Sequence, residues 1–399
     1  MSFLNFFTLS LIKAGIIAFV FLTALAYLQW IERKVIGHIQ LRVGPYRVGP
    51  HGLLQPLADV VKLITKEGVL PSHVNKFFYL LAPFLAVTLA LISISVIPFG
   101  PQITIGSVTT WMQLTDLNVG ILFVIAISSV GVYGVALGGW ASNNKYALLG
   151  GLRSSAQMIS YELPLALAVA APLLLANTLS FREMVNYQSG YWLGFIPRWN
   201  VIPEILGFIV FLIAAFAETN RIPFDLPEAE NELVAGFHTE YSSMSFAAFF
   251  MAEYANMVTV TAVATLLFLG GWQPPFPEPY SDFVPIAIFG LAGLVALYHG
   301  LHPARRMDKF TLPGAALLFL GIAAVFGASF FLPVLKPILM ALFWFCGKIL
   351  VLLFVFIWVR GTLPRFRYDQ LMRFAWIVLF PLAMLNLLVT GLAVALTSK

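Results

Sequence analysis

Charged residues are scarce in this chain: only 10% of its 399 residues are Asp, Glu, Lys or Arg, whereas 60% are hydrophobic. Soluble domains carry about 25% charged residues, so the composition excludes an ordinary water-soluble protein. Cysteine is scarcer still, because Cys346 is the only one. A single thiol excludes a disulfide framework and any four-thiolate iron–sulfur or zinc site within the chain. The six histidines are scattered, and we predict no bound metal or haem.

The N-terminus also lacks the features of a cleaved leader, since MSFLNFF has no basic residue and no small-residue cleavage site follows. We therefore expect the first apolar stretch to be a membrane helix. A span needs about 20 mostly apolar residues to cross about 30 Å of hydrocarbon. Ten stretches qualify, which predicts an all-α integral membrane protein without a soluble domain. The predicted spans are 11–31, 77–98, 119–140, 160–178, 201–218, 246–270, 283–300, 311–332, 338–359 and 375–396.

The net charge of +5 could suggest a nucleic-acid partner. In a chain this apolar, however, excess Lys and Arg more often mark cytoplasmic loops, so we predict no nucleic acid. With the N-terminus placed outside, the inner loops hold 17 of the 23 Lys and Arg residues. These predicted inner loops are 32–76, 141–157, 219–245, 301–310 and 360–374.

The first inner loop contains a segment, 53–67, with an amphipathic helical pattern. Such a pattern is typical of a helix that lies in the membrane interface, although a surface helix that only orders the loop fits as well. Its apolar face consists of Leu53, Leu57, Val60, Val61 and Ile64, and its polar face of Asp59, Lys62 and Lys66.

Several ionisable residues fall within or at the ends of the predicted spans: Glu162, Glu218, Glu253, Lys348 and Lys13. A charge near the bilayer centre costs at least about 2.5–3.5 kcal/mol, so each residue needs an explanation. Glu162 and Glu218 could instead cap helices or reach the interface, and Lys13 fits an interfacial anchor. Lys348 fits a helix-packing contact as well as a proton relay. As a set, these groups favour a water-filled proton path.

The inner loop after the fifth span, AETNRIPFDLPEAENELVAGFHTEY (217–241), is acidic, although inner loops normally accumulate positive charge. Clustered carboxylates can share protons, which suits groups that must bind and release them. A solvated acidic loop that docks on a basic partner is the alternative. The acidic residues are Glu218, Asp225, Glu228, Glu230, Glu232 and Glu240, against the single basic residue Arg221.

Four sequence blocks coincide with the predicted inner loops and their flanks. They are WIERKVIGHIQLRVGPYRVGPHGLLQPLADVVKLITKE (30–67), NKYALLGGLRSSAQMISYELPLAL (144–167), ETNRIPFDLPEAENELVAGF (218–237) and WVRGTLPRFRYDQLMRFAW (358–376). In content and order, these blocks resemble the H subunits of NADH-quinone oxidoreductase, the quinone-site membrane subunits of respiratory complex I. With the spans between them, the matching stretches cover most of 1–275 and 338–399.

The resemblance implies a protein that joins the membrane arm of complex I to its hydrophilic arm and forms much of a chamber for the substrate quinone. Electrons would come from NADH through FMN and iron–sulfur clusters on partner subunits, and quinone reduction would be coupled to proton translocation. The chain would hold no covalent cofactor and no complete active site alone. Implied partners are hydrophilic iron–sulfur and quinone-site subunits, small membrane subunits, antiporter-like subunits and lipid. The implied location is the bacterial inner membrane.

The resemblance also implies roles for individual residues, carried over by motif. Its quinone-chamber residues are Glu32, Arg33, Arg42, Asp59, Arg221, Asp225, Glu228, Glu230 and Glu232. Its proton path toward the antiporter-like subunits consists of Tyr146, Glu162, Glu218, Glu240 and Glu253. Its interface with the hydrophilic arm includes Arg360, Arg365, Arg367 and Asp369.

The chain departs from the family pattern of eight spans by two additional ones. We therefore divide it into a core (1–275), an extra transmembrane hairpin (276–337) around HPARRMDK, and the last two core helices (338–399). The even number of added spans keeps RGTLPRFRYDQ on the inner side. The hairpin either fills lipid-facing surface or contacts a partner.

Two other functions compete with the quinone-site role. One is that of the related membrane protein of an energy-converting hydrogenase, although the full acidic loop and RGTLPRFRYDQ favour the quinone enzyme. The other is a free-standing, ion-coupled secondary transporter. Such transporters tend to show internal repeats, and we find no clear repeat here.

Overall fold

The computed structural model describes residues 3–105, 108–226, 234–303 and 308–397, and these are mostly helical. Among them, nine helices are long and apolar enough to cross a membrane, and a tenth apolar helix is shorter, which confirms the all-α membrane fold. The helices are α1 Phe3–Ile39, α2 Gln55–Thr65, α3 Lys76–Ile94, α4 Gly120–Ala141, α5 Lys145–Ala176, α6 Phe181–Tyr187, α7 Ile205–Glu218, α8 Ser243–Phe268, α9 Tyr280–Leu301, α10 Asp308–Ser329, α11 Leu335–Thr362 and α12 Tyr368–Thr397. Two antiparallel hairpins pair β1 Gln102–Ile105 with β2 Val108–Trp111 and β3 Tyr191–Trp192 with β4 Ile196–Pro197.

Glycines allow the central helices to approach closely. A Cβ atom on Gly139 of α4 would lie 2.5 Å from the carbonyl oxygen of Ala147 on α5. One on Gly150 of α5 would lie 2.7 Å from Gly236 Cα in the loop before α8. Because lipid provides no hydrophobic force between helices, such close backbone contacts account for much of their association. Gly139 thus allows α4 to approach α5, and Gly150 allows α5 to approach the acidic loop.

The fifth apolar helix, α7, is shorter than the predicted span 201–218. It begins only at Ile205, and its 14 residues end at Glu218. At about 1.5 Å per residue it is roughly 21 Å long, less than the roughly 30 Å of a bilayer core. The preceding residues form a turn, in which Val201 N donates to Phe268 O at 2.9 Å. The backbone N–H of Val201 thus has its hydrogen-bond acceptor at the end of α8 and not within a helical turn of its own.

The five predicted inner loops meet at one end of the helix bundle, which we call the loop end. The first loop contacts three of the others, and the acidic loop contacts the fifth. The contacts are Asn75 N to Ala141 O (3.1 Å), Ser243 Oγ to Leu63 O (2.9 Å), His51 Nε2 to Asp308 Oδ1 (3.3 Å) and Phe366 N to Pro223 O (3.1 Å). The predicted alternation of loops is thus reproduced in the packing.

The opposite end, which we call the hairpin end, holds both β-hairpins and uses two lysines structurally. Lys13 Nζ donates to Thr110 Oγ1 at 2.5 Å in β2. Lys348 Nζ donates to the carbonyl oxygens of Leu269, Gly271 and Gln273 at 2.6–2.8 Å. These carbonyls follow the C-terminal end of α8, where unsatisfied acceptors favour a cation. Of the two interpretations for Lys348, the contacts support helix packing.

The hairpin of α9 and α10 packs mainly on itself, and it contacts the first inner loop at one end and the start of α11 at the other. At the loop end His51 Nε2 lies 2.9 Å from Thr311 Oγ1, and at the hairpin end Lys336 Nζ pairs with Asp282 at 2.6 Å. The amphipathic helix α2 lies at the loop end, where Asp59 of its polar face pairs with Arg33 of α1, whereas Lys62 and Lys66 of the same face are exposed. Its predicted apolar face is exposed over all five residues, as expected for an interfacial helix.

Candidate functional site

Four charged side chains from four elements meet at the loop end: Glu32 of α1, Arg221 of the acidic loop, Glu253 of α8 and Arg360 of α11. Arg221 Nη1 lies 3.2 Å from Glu32 Oε1, and its Nε lies 2.8 Å from Glu253 Oε1. Arg360 forms a second ion pair with Glu32. The ring of Tyr254 lies 4.2 Å from the Arg221 guanidinium. We call these four charged residues the Arg221 cluster.

Because the Arg221 cluster is largely buried, its charged side chains depend on one another for stabilisation. Glu32 is 3% exposed and Arg221 is 4% exposed, so neither charge can rely on water. Buried ions are tolerated when they are paired and hydrogen-bonded, and removing one partner costs about 3–5 kcal/mol. The planar guanidinium of Arg221 can serve two carboxylates at once, which a lysine ammonium does less well. The cluster also joins residues that the sequence assigned separately to the chamber, the proton path and the subunit interface.

Other predicted chamber and interface residues form a looser shell around this cluster. Arg33 Nη1 lies 2.8 Å from Asp59 Oδ2, and Arg365 Nη2 lies 3.0 Å from Asp225 Oδ2. The remaining described residues of these two sets are exposed at the loop end and do not join the cluster: Arg42, Arg367 and Asp369. Three predicted chamber residues lie outside the described residues: Glu228, Glu230 and Glu232.

Deeper in the bundle, two adjacent serines of α4 bind two of the predicted proton-path glutamates. Ser128 Oγ donates to Glu218 Oε1 at the end of α7. Ser129 Oγ donates to Glu162 Oε1 on α5. One turn of α4 therefore holds two carboxylates from different helices. Hydroxyl groups suit this position because each can accept a hydrogen bond as well as donate one.

Two neighbouring cavities connect these carboxylates. The first, of about 50 Å³, is lined by Glu218, Glu253, Ser128 and Asn256, among others. The second, of about 30 Å³, is lined by Glu162 together with Glu218, Ser128 and Asn256. Most of the wall of each cavity is apolar, but the side chains of Ser128, Glu218 and Asn256 provide the hydrogen-bonding partners that a water molecule in a cavity of this size needs. Glu253, Glu218 and Glu162 thus form a series across the three helices α8, α7 and α5, with Glu218 shared by both cavities.

The last two predicted proton-path residues lie apart from the cavities. Glu240 accepts a hydrogen bond from Asn144 Nδ2 at 2.7 Å and lies 3.9 Å from His73 Nε2. Tyr146 is 41% exposed and lines neither of the two cavities described above. Glu240 therefore occupies the loop end, and the structure brings Tyr146 only near the same surface.

A pair of stacked tyrosines fixes Glu240 against α3. The rings of Tyr79 and Tyr241 lie 4.2 Å apart, and Tyr79 Oη donates to Glu240 O at 2.7 Å. Burial, reinforced by Tyr79, raises the pKa of the Tyr241 phenol above its usual value, although a hydrogen bond with Ser142 opposes the shift. The neutral hydroxyl of Tyr241 donates to Tyr79 O at 3.1 Å. This contact holds the loop that carries Glu240.

Sequence reasoning missed several polar residues of the site, namely Ser128, Ser129, Asn256 and the buried His238. The signal that could have found them was their position on or beside apolar helices, where polar groups need partners. It also missed Glu204 at the hairpin end, a buried carboxylate that accepts hydrogen bonds from Asn386 and Thr390. Within the described parts of the chain, no group of three or more His, Cys, Asp or Glu residues could hold a metal ion.

Fold and site together define a class: a multi-pass membrane protein built around paired and cavity-lining ionisable groups. The model of the family described as NADH dehydrogenase matches residues 12–391. The chain is 66% identical over 400 residues to an NADH-quinone oxidoreductase H subunit of Solibacter usitatus, covering 99% of both chains. It is 49% identical to an H subunit of the same enzyme from Koribacter versatilis, over 98% of both chains. The chain therefore belongs to the family of NADH-quinone oxidoreductase H subunits, the membrane subunits of complex I.

A third relative, an NADH-quinone oxidoreductase H subunit of Geobacter metallireducens, is 44% identical over 97% of this chain and 96% of its own length. None of these three names points to a hydrogenase or a transporter, so neither alternative is favoured. The alignment with the Solibacter protein covers 99% of both chains and hence includes the hairpin region 276–337. As one subunit of an oxidoreductase complex, the chain needs other subunits to complete an active site.

Proposed function

We propose that this chain forms much of the wall of a quinone chamber at its loop end and couples NADH-driven quinone reduction to proton translocation. The observation that carries the proposal is the double pairing of Arg221. One side of its guanidinium binds Glu32, which is tied to the loop end through Arg360. The other side binds Glu253, which lines the first cavity. A charge change in the chamber therefore has a direct electrostatic route to the cavity.

The coupling begins when a quinone accepts electrons and negative charge develops near the loop end. That charge attracts Arg221 and weakens its interaction with Glu253. Because an adjacent cation favours the ionised form of a carboxylate, Glu253 then takes up a proton. When the quinol leaves, Arg221 pairs with Glu253 again and displaces the proton. The first cavity joins Glu253 to Glu218, so the proton moves to Glu218.

From Glu218 the proton passes to Glu162 through the second cavity. Ser128 and Ser129 hold the two acceptors on one turn of α4, so a short water-assisted transfer connects them. Glu162 hands the proton on toward antiporter-like partner subunits. Transfer in the reverse direction would return the proton to Glu253. The ion pair that Arg221 has by then formed again with Glu253 opposes this return. The ion pair thereby gives the path a direction.

We further propose the surroundings in which this occurs. The chain lies in a bacterial inner membrane with its N-terminus outside, since the loop end holds most of the basic residues. NADH, FMN and iron–sulfur clusters belong to partner subunits of the hydrophilic arm, which docks on the exposed groups Arg365, Arg367 and Asp369. Small membrane subunits cover the helices nearest Glu162. Lipid covers the apolar face of α2.

Purification of a tagged chain from gently solubilised native membranes tests this assignment. We expect flavin and iron–sulfur subunits, antiporter-like subunits and inhibitor-sensitive NADH-to-quinone activity in the same complex. Recovery with a nickel–iron hydrogenase, or of an active chain alone, would contradict it.

The proton path is tested separately by Glu218→Gln, which keeps the side-chain volume and removes the ionisable carboxyl group. We expect NADH-to-quinone turnover and proton pumping to fall by at least about tenfold, since lost proton-transfer groups cost that much or more. NADH oxidation by an artificial acceptor should be unchanged in the assembled complex. Glu278→Gln, at an exposed carboxylate of the hairpin end, is the matched control and should turn over normally. Wild-type pumping in Glu218→Gln would refute the path.

A further inference from the structure

The proposed path has a gap between its entrance and its interior. Glu240 faces the loop end, where it contacts Asn144 and His73. The first glutamates inside the bundle, Glu218 and Glu253, line the first cavity, and Glu240 does not line it. A proton that enters at Glu240 therefore needs another group to reach the cavity.

His238 occupies this gap. It ends the short helical turn Gly236–His238, two residues before Glu240, and it lines the first cavity together with Glu218 and Glu253. Its side chain belongs to a residue only 5% exposed, so it has no direct access to bulk solvent. Only Thr239 separates it from Glu240 in the chain, and its own residue forms part of the cavity wall. Among the described residues that line this cavity, no other is a histidine, lysine or tyrosine.

Four phenylalanines fix the imidazole ring. Its centroid lies 3.8 Å from that of Phe237, and the rings of Phe246, Phe249 and Phe250 lie 5.3–5.8 Å away. The simplest explanation of such a cage is packing, in which histidine acts as a fifth aromatic residue. Packing alone, however, would be served by phenylalanine and would not require a polar ring in the wall of a cavity shared with two glutamates.

We propose that His238 carries protons between Glu240 and the cavity glutamates, a role that rests on the proton path proposed above. Neutral imidazole has one nitrogen that accepts and one that donates. A proton from Glu240 binds the accepting nitrogen, and the resulting imidazolium releases the proton of its other nitrogen to a carboxylate of the first cavity. The neutral ring remains, as the other tautomer, and the charge of each glutamate changes by the proton it gives or takes. The aromatic faces stabilise the transient cation and keep the ring in place.

Three variants in the complete complex separate proton transfer from packing. His238→Phe keeps the aromatic packing and cannot carry a proton. His238→Gln keeps polarity and also cannot carry one. His238→Glu sacrifices the packing but restores an ionisable group. We expect the Phe and Gln variants to assemble and to lose about tenfold or more of NADH-to-quinone turnover and pumping. We expect His238→Glu, where it assembles, to exceed both.

The opposite order would overturn the proposal. Wild-type turnover and pumping in the assembled His238→Phe complex would show that His238 only packs. Higher turnover in the Phe variant than in the Gln and Glu variants would show the same. NADH oxidation by an artificial acceptor and the size of the purified complex verify assembly in each case. If His238→Glu does not assemble, the Phe and Gln variants decide alone. If turnover is low in Glu218→Gln but normal in His238→Phe, only the role of His238 is refuted. If turnover is normal in Glu218→Gln, the whole proton path is refuted.

Discussion

Glu218 and Glu204 are carboxylates at the two ends of the same helix, the first half-buried and the second buried, yet their surroundings differ. Glu204 accepts hydrogen bonds on both oxygens, from Asn386 Nδ2 at 2.6 Å and Thr390 Oγ1 at 2.5 Å, and it lines neither of the two cavities. Glu218 accepts one from Ser128 and lines both cavities. A carboxylate with both oxygens bound to another helix is a structural group, whereas one that adjoins cavities can exchange a proton.

Two cations at the two ends, the half-buried Lys348 and the buried Arg221, show the same contrast. Lys348 at the hairpin end donates to backbone carbonyls, whose charge never changes. Arg221 at the loop end pairs with Glu32 and Glu253, whose charge depends on their protons. The chemistry of the partner, more than burial itself, therefore distinguishes the loop end, where we propose the coupling, from the hairpin end.

The largest effect should follow from Arg221→Lys, which keeps the charge and removes the guanidinium that binds two carboxylates. We expect NADH-to-quinone turnover to fall on the order of a hundredfold, the scale of disrupting a buried ion pair worth roughly 3 kcal/mol. The measurement is turnover and proton pumping in the purified complex. Its counterpart is Lys348→Met, which should lower the thermal stability of the complex while turnover per assembled complex stays normal. Equal losses of turnover in both variants would erase the contrast between the two ends.

A smaller effect should follow from Ser128→Ala. A hydrogen bond to a charged group contributes about 1.5–3 kcal/mol, so we expect turnover to fall by roughly tenfold as Glu218 loses its position. Ser128→Thr retains the hydroxyl and should recover most of the activity. Turnover and pumping that remain at the wild-type level in Ser128→Ala would show that the serine does not position the glutamate.

The smallest effect on activity should follow from Glu204→Gln. Its amide oxygen and nitrogen can still bind Asn386 and Thr390, so we expect turnover within about twofold of wild type and a loss of stability of about 1 kcal/mol. Thermal unfolding of the complex and steady-state turnover measure the two quantities. Abolished pumping in an intact Glu204→Gln complex would show that Glu204 carries protons, and the distinction between Glu204 and Glu218 would then be wrong.

Much of this architecture is predictable from the sequence because it depends on local patterns. The long apolar stretches predict all ten apolar helices of the described residues, and the distribution of Lys and Arg predicts which loops share an end. The start of α7 was not predictable, since Val201 is as apolar as a helical residue and its turn depends on Phe268, far along the chain. Hydropathy measures a segment alone and contains no information about such a partner.

The site was predictable as a set of residues but not as a network. The motifs identify Glu32, Arg221 and Glu253, yet Glu32 and Arg221 are 189 positions apart, and only tertiary packing pairs them. Ser128 was overlooked because a serine in an apolar helix commonly bonds its own backbone. Its role depends on Glu218 arriving from another helix, which no local pattern expresses.

In the proposed mechanism, the redox state of the quinone controls the protonation of Glu253 through Arg221. Infrared difference spectroscopy of the purified complex, recorded between oxidised and reduced quinone, tests this most directly. We predict a protonated-carboxyl signal on reduction that disappears in Glu253→Gln and weakens in Arg221→Lys, with Lys348→Met unchanged. A carboxyl signal that persists in full in Glu253→Gln would contradict the account.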